Sequence, residues 1–110
     1  MLIYVASPYS HSLHIVREQR YKQVMYYCAE LIEQGHVPFS PIVYAHPMAN
    51  RYNIPTDAQH WEKFNLVLLR KSDVLHIYRM DGWEESKGVA WELKTAKELG
   101  IPVVEVDVIT

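Results

Sequence analysis

Short apolar runs alternate along this chain with longer segments in which apolar residues recur every three or four positions. The run Leu2–Ala6 is typical of a strand buried on both faces, and the turn residues Ser7-Pro8-Tyr9-Ser10 end it. Comparable runs predict three further strands, at His36–Ser40, Asp73–Arg79 and Ile101–Val106. Helical spacing predicts helices over 12–34, from a cap at Thr56-Asp57 to Lys71-Ser72, and over 86–99.

The order of these elements predicts an α/β fold. It indicates a three-layer, Rossmann- or flavodoxin-like sheet of four to five mostly parallel strands with helices on both faces, forming a single domain over 1–110. Pro38 favours an edge position for the second strand, because proline cannot donate to a ladder. The prolines at 41, 47 and 55 predict a long irregular loop over 40–56.

Composition narrows the possible functions. The net charge of −2 gives no basis for binding a nucleic-acid polymer, and no apolar run approaches the roughly 20 residues that cross a membrane. Cys28 is the only cysteine, which fits a reducing cytoplasm and excludes an intrachain disulfide. His11 and His14 lack the companions of a metal-binding motif, so we expect neither a metal site nor a cofactor.

The stretch Asp81–Glu92 carries the most specific candidate chemistry. Ser86 can cap the helix that follows, and glycines at 82 and 88 allow the backbone to approach an anion closely. Helical spacing then places Glu92 on the apolar stripe, where a carboxylate needs a partner, a proton or a chemical role. The alternatives are that Glu92 reaches water from the edge of the stripe or caps a neighbouring element, and that the turn only caps the helix.

Four segments resemble the nucleoside 2-deoxyribosyltransferase superfamily, most closely its small bacterial and phage members. They are Ile3-Tyr4-Val5-Ala6 with Ser7-Pro8-Tyr9, Ser40-Pro41-Ile42 with Tyr44-Ala45-His46-Pro47, Ser72-Asp73, and Gly82-Trp83-Glu84-Glu85-Ser86-Lys87-Gly88-Val89 with Glu92. The resemblance extends over nearly the whole chain, and it is more specific for the superfamily than for a substrate.

The resemblance implies a catalytic centre. Glu92 matches a glutamate that attacks the anomeric carbon of the sugar and forms a glycosyl ester, as in retaining glycosidases, and Tyr4 matches a tyrosine that orients it. Asn65 stands where relatives usually have an aspartate, and an amide cannot exchange a proton at neutral pH. Either Asp81, Glu85 or His46 replaces that acid, or the site binds without rapid turnover.

The resemblance also implies a substrate. Transferases that use nucleosides carry an aspartate six residues before the glutamate, whereas nucleoside-monophosphate hydrolases carry a serine that contacts the 5′-phosphate. Ser86 therefore favours a nucleoside 5′-monophosphate over a free nucleoside. The residues predicted to bind the substrate or its phosphate are Ser7, His46, Asp81, Gly82, Trp83, Ser86 and Gly88.

Trp83 and Tyr44 could each stack on the base, or they could serve as an interface anchor and a packing residue of the loop. Family members assemble as dimers or larger, so the resemblance implies a homodimer or higher oligomer.

These expectations define a primary hypothesis and its rivals. The primary hypothesis is hydrolysis of the N-glycosidic bond of a nucleoside or deoxynucleoside 5′-monophosphate through a covalent intermediate on Glu92. Its close variant is transfer of the sugar to another base. The rivals from other classes are a nucleotide-binding module that has lost turnover with Asn65, and an interaction protein that uses its aromatic loops.

Overall fold

The computed structural model describes residues 1–55 and 58–109 of the chain. The predicted helix cap at Thr56-Asp57 lies outside these residues. The elements are β1 Leu2–Ala6, α1 His14–Glu33, β2 Val37–Phe39, α2 Pro41–Tyr52, α3 Ala58–Arg70, β3 Val74–Tyr78, a 3-10 turn Trp83–Glu85, α4 Lys87–Glu98 and β4 Val103–Val106. None of the helices within the described ranges combines the length and apolarity needed to cross a membrane.

The four strands form one parallel sheet in the order β2-β1-β3-β4. Pro38 lies in β2 at the edge, as the sequence predicted. From β1 the chain first moves outward to β2 and then returns to place β3 on the other side of β1. The strand order therefore reverses between β1 and β3, and in such sheets ligands bind beyond the carboxyl ends of the strands at this point.

Alternation along β1 builds the two cores of a three-layer fold. Ile3 and Val5 pack with residues of α1, including Val24 and Leu31, on one face of the sheet. Tyr4 and Ala6 point to the other face, where they pack in a cluster with Leu69 of α3 and with Val89 and Ala96 of α4. The predicted α/β fold is thus confirmed, and Tyr4 is buried on the α3 and α4 side of the sheet.

The segment 40–56 differs from its prediction. It was expected to be an irregular loop, but residues 41–52 form α2. Ser40 caps this helix by accepting a hydrogen bond of 3.2 Å from the Val43 N–H, and Pro41 occupies the first helical position, where no N–H is required. Pro47 lies inside the helix, and Asn53 ends it in the left-handed conformation. The prolines were wrongly interpreted as breakers, although the first of them starts the helix.

Candidate active site

A cavity of about 790 Å³ opens at the carboxyl edge of the sheet, at the switch between β1 and β3. The loop after β1, helices α2 and α3, the turn before α4 and the first turns of α4 all contribute to its wall. This volume is in the range of sites that hold a small organic ligand. The loops after β1 and β3 meet here, together with helix α2.

Glu92 lies in the wall of this cavity and is nevertheless 6% exposed. Burial raises the pKa of its carboxyl to about 8, while the neighbouring Tyr4 hydroxyl acts in the opposite direction. The carboxyl is therefore mostly protonated at neutral pH. Among the described residues no cation forms an ion pair with it, so Glu92 is neither tied into scaffolding nor extended into bulk water.

Tyr4 lies beneath the cavity, fully buried, with its hydroxyl beside the Glu92 carboxyl. Burial first, and then the proximity of Glu92, raise the pKa of Tyr4 well above its ordinary value, so the hydroxyl keeps its proton. The two groups influence each other's pKa, but their geometry falls short of a formed hydrogen bond. A small movement of either side chain would complete the contact.

Three buried polar side-chain atoms within 1–55 and 58–109 have no hydrogen-bond partner. They are the Tyr4 hydroxyl, the Ser7 hydroxyl and the Asn65 carbonyl oxygen. Ser7 and Asn65 line the cavity and are 6% and 8% exposed, so water reaches them poorly. Buried polar atoms are nearly always paired, and the concentration of the exceptions at one place indicates a site prepared for a polar ligand.

The start of α4 forms a second polar wall. The Ser86 hydroxyl accepts a hydrogen bond of 3.2 Å from the Val89 N–H, which confirms Ser86 as the cap, and its own proton remains available for donation. Lys87 and Gly88 follow and also line the cavity. The N–H groups of a first helical turn have no acceptors within the helix and carry the positive end of its dipole, so this wall suits an anion.

His46 of α2 provides the third polar wall through a connected set of side chains. Its Nδ1 lies 2.6 Å from the Tyr9 hydroxyl, and its Nε2 lies 2.7 Å from a Glu18 carboxylate oxygen. The imidazole is 3% exposed and stacks on the Tyr21 ring at 4.3 Å. The hydrogen bond with His46 lowers the pKa of Glu18, so the carboxylate holds the imidazole while Tyr9 and His46 face the cavity.

The structure brings together most of the residues predicted from the sequence. Seven of them line the cavity: Ser7, His46, Asn65, Gly82, Ser86, Gly88 and Glu92. Asp81 and Trp83 are outside its lining. Trp83 instead packs on the apolar cluster around Ala6 and lies under the Arg79 guanidinium at 5.9 Å.

The predicted base-stacking role therefore has no support from the position of Trp83. The same is true of Tyr44, which stacks on Phe64 at 5.3 Å and is also outside the lining of the cavity. Asp81 is likewise poorly placed to replace the acid that Asn65 lacks.

Other lining residues were missed or undervalued at the level of sequence. Tyr9, Trp61 and Trp91 contribute aromatic surface, and the Trp61 indole is fixed by a 2.8 Å hydrogen bond from Nε1–H to the Pro55 carbonyl. Trp91 adjoins Glu92 and could have been considered for that reason. Arg20 of α1 also lines the cavity.

Comparisons with known proteins agree with this geometry. Residues 1–108 match the model of a family described as a domain of unknown function, DUF1937. Among solved structures, a 2-deoxyribosyltransferase from the psychrotolerant bacterium Bacillus psychrosaccharolyticus is 25% identical with a TM-score of 0.64, over 97% of this chain and 72% of that one.

A 2-deoxyribosyltransferase from Leishmania mexicana is 24% identical with a TM-score of 0.60, over 96% of this chain and 63% of that one. No curated protein sequence gives a significant match. The chain thus belongs to the DUF1937 family and has the fold of the nucleoside 2-deoxyribosyltransferase-like superfamily.

Proposed function

We propose that this protein is an enzyme that breaks the N-glycosidic bond of a nucleoside or nucleoside 5′-monophosphate by attack of Glu92 on the sugar. One observation carries the proposal: a buried carboxyl lies in the wall of a cavity of ligand size, without an ion-pair partner among the described residues. Burying such a group without a task would only destabilise the fold.

The reaction proceeds in two steps. In the first, an oxygen of Glu92, in the fraction of molecules in which this carboxyl is ionised, bonds to the anomeric carbon while the electrons of the C–N bond leave with the base, which takes up a proton. In the second, an acceptor attacks the same carbon, releases the sugar from the ester and restores the carboxylate, while the group that protonated the departing base takes the proton that the acceptor loses. The Tyr4 hydroxyl, next to Glu92, would donate to the carboxylate and orient it.

A group other than Asn65 must protonate the departing base, because an amide cannot supply a proton at neutral pH. Of the three sequence-based candidates, His46 and Glu85 line the cavity and Asp81 does not. His46 acts through the Tyr9 hydroxyl, which is bonded to its Nδ1 and faces the same space. We place the proton donor at one of these two positions.

The acceptor distinguishes transfer from hydrolysis. Both structural relatives are named as 2-deoxyribosyltransferases, which favours transfer to a second base. The Ser86 cap and the dipole of α4 favour a donor with a 5′-phosphate, the property on which the hydrolytic hypothesis depended. We therefore propose transfer from a nucleoside 5′-monophosphate first, and hydrolysis, with water as acceptor, second.

A non-catalytic alternative has its own observation. Asn65 keeps its carbonyl oxygen buried and unpaired in the cavity, where a base or sugar hydroxyl could bind without further chemistry. In that case the protein would be a nucleotide-binding module. Assembly as a homo-oligomer and a cytoplasmic location stay predictions from the sequence.

The deciding experiment is incubation with matched nucleosides and 5′-monophosphates of each base, with and without a second free base. Chromatography would follow free base and exchanged product, and Glu92→Gln would serve as the inactive variant. Exchange that requires the second base supports transfer, whereas base release in its absence supports hydrolysis. Binding without either product, unchanged in Glu92→Gln, would favour the module and refute the enzyme.

A further inference from the structure

Arg20 of α1 joins the two loops that flank the polar end of the cavity. Its Nη1 donates to the Ser10 carbonyl at 2.9 Å, in the loop after β1. Its Nη2 donates to the Asp81 carbonyl at 3.1 Å, in the loop after β3. These loops follow adjacent strands, so one guanidinium fixes both sides of the switch point.

Gly82 lies directly against this guanidinium. A Cβ built on Gly82 would lie 2.5 Å from Arg20 Nη2, and the backbone there has φ +89°, which side chains rarely adopt. The absence of a side chain lets the guanidinium lie against the loop that leads to the Ser86 cap. Because the clashing atom is the end of a flexible side chain, an added methyl group would displace Arg20 from this position.

Among the described residues that line the cavity, Arg20 and Lys87 are the arginine and lysine side chains, and the carboxyl groups belong to Glu62, Glu85 and Glu92. Two of the five N–H groups of Arg20 are used by the loop carbonyls, which leaves three donors for a ligand. The unpaired hydroxyl of Ser7, 6% exposed, and the Ser86 cap line the same cavity. A dianionic phosphate fits donors of this kind and needs a fixed cation beside the carboxylates.

We propose that Arg20 is the residue by which the cavity selects a phosphate monoester over the corresponding free nucleoside. The guanidinium binds the phosphate oxygens together with Ser7 and the start of α4, and it keeps the two loops in register while it does so. This inference rests on the nucleoside-monophosphate substrate class proposed above, and it adds the residue responsible for the choice.

The test compares Arg20→Gln and Arg20→Lys with Arg17→Gln as the matched control. Arg17 lies on the same helix and donates to a carbonyl of the same loop, that of His11, but it does not line the cavity. For Arg20→Gln we expect the KM for a 5′-monophosphate to rise about 10- to 100-fold, the range of a charge-assisted hydrogen bond, with less than about threefold change for the matching nucleoside. Arg20→Lys should recover part of the loss, and Arg17→Gln should resemble the wild type for both substrates.

A binding measurement separates this inference from the proposed reaction. Calorimetric titration with inorganic phosphate and with a nucleoside 5′-monophosphate needs no turnover, so it remains decisive if no base is released. Weaker binding in Arg20→Gln and unchanged binding in Arg17→Gln would support the inference even if the glycosidic reaction proved wrong. Equal losses for nucleoside and monophosphate, or no phosphate binding by the wild type, would overturn it.

Gly82→Ala provides a second variant, because it moves the guanidinium without changing its charge. The same selective loss of monophosphate affinity is expected, and retained selectivity would contradict the proposed position of Arg20. Thermal unfolding of each variant identifies those that fail to fold. For such a variant, the comparison of nucleoside with monophosphate in Arg20→Lys carries the decision.

Discussion

The two faces of the sheet differ in whether their buried polar groups have hydrogen-bond partners. On the α1 side, the Tyr27 hydroxyl lies 2.6 Å from His76 Nδ1, and the Tyr78 hydroxyl accepts a 3.0 Å hydrogen bond from the Ile109 N–H. On the α4 side, the Tyr4 hydroxyl has no partner within hydrogen-bonding geometry and Glu92 is buried beside it. The hydrogen bonds on the α1 side stabilise the fold. The unpaired hydroxyl and the buried carboxyl on the α4 side cost stability, and a bound ligand is what explains them.

This contrast separates a structural aromatic cluster from a functional one of similar composition. Tyr27 and Tyr78 stack at 4.4 Å with their polar ends satisfied inside the protein. Tyr4 packs edge-on against Phe39 at 5.6 Å and leaves its hydroxyl for the cavity side. All three residues are buried tyrosines, so the site is identified by the Tyr4 hydroxyl having no hydrogen-bond partner.

The largest expected effect comes from removing the Glu92 carboxylate. Glu92→Gln should lower base release or exchange by at least about 10³-fold, because no ester can form, while the fold is kept by a side chain of equal size. Glu98→Gln, on an exposed position of the same helix, is the matched control and should retain full activity. Turnover by Glu92→Gln at more than a few per cent of the wild-type rate would exclude Glu92 as nucleophile.

The same substitution should change stability in a pH-dependent way. The pKa of Glu92 is about 8 in the folded protein and near 4.5 as the ordinary value, so the folded state binds more protons between these limits. The contribution of Glu92 to stability therefore falls as pH rises from about 4.5 to about 8, by on the order of a few kcal/mol.

Urea unfolding at pH 5 and pH 8 measures this effect. The difference between Glu92→Gln and the wild type should shift in favour of the variant at pH 8. Subtracting the two free energies of unfolding cancels the contributions of other titrating groups such as His76, whose pKa is lowered by burial. A difference independent of pH would mean that Glu92 is ionised in the folded protein.

Restoring the acid at position 65 should have a smaller effect on rate. Asn65→Asp places an ionisable group in the cavity wall, and a proton donor at this point should raise turnover by about tenfold if the missing acid limits the reaction. Asn65→Ala separates the gain of an acid from the loss of the amide. Equal rates for wild type and Asn65→Asp would show that His46 or Glu85 already supplies the proton.

The sequence was sufficient for the parts of the fold that depend on local pattern. Continuous apolar runs located β1 and β3, and the Ser86 cap with its helical stripe placed Glu92 facing inward. Helix α2 was missed because Pro41 and Pro47 were interpreted as loop residues, although Pro41 occupies the first helical position and Ser40 caps the helix.

The lining of the cavity was harder to predict for a related reason. Which side chains reach it depends on how α2 and α3 pack across the edge of the sheet, and periodicity does not contain that information. Tyr9 and Trp61 line the cavity for this reason, while Trp83, in the most informative stretch of sequence, does not.

The smallest expected change in stability tests the comparison of the two faces directly. Tyr27→Phe breaks a formed hydrogen bond with His76 and should lower the free energy of unfolding by about 1 kcal/mol, with activity unchanged. Tyr4→Phe breaks no formed hydrogen bond, so its stability should equal or exceed that of the wild type while activity falls by about 10- to 100-fold.

Chemical denaturation and base release are measured on both variants. Tyr27→Phe should lose stability and keep its activity, whereas Tyr4→Phe should keep its stability and lose activity. A loss of stability in Tyr4→Phe equal to that in Tyr27→Phe would show that the Tyr4 hydroxyl is bonded within the fold. The two faces would then differ in packing alone, and the unpaired hydroxyl beside Glu92 would no longer mark a site.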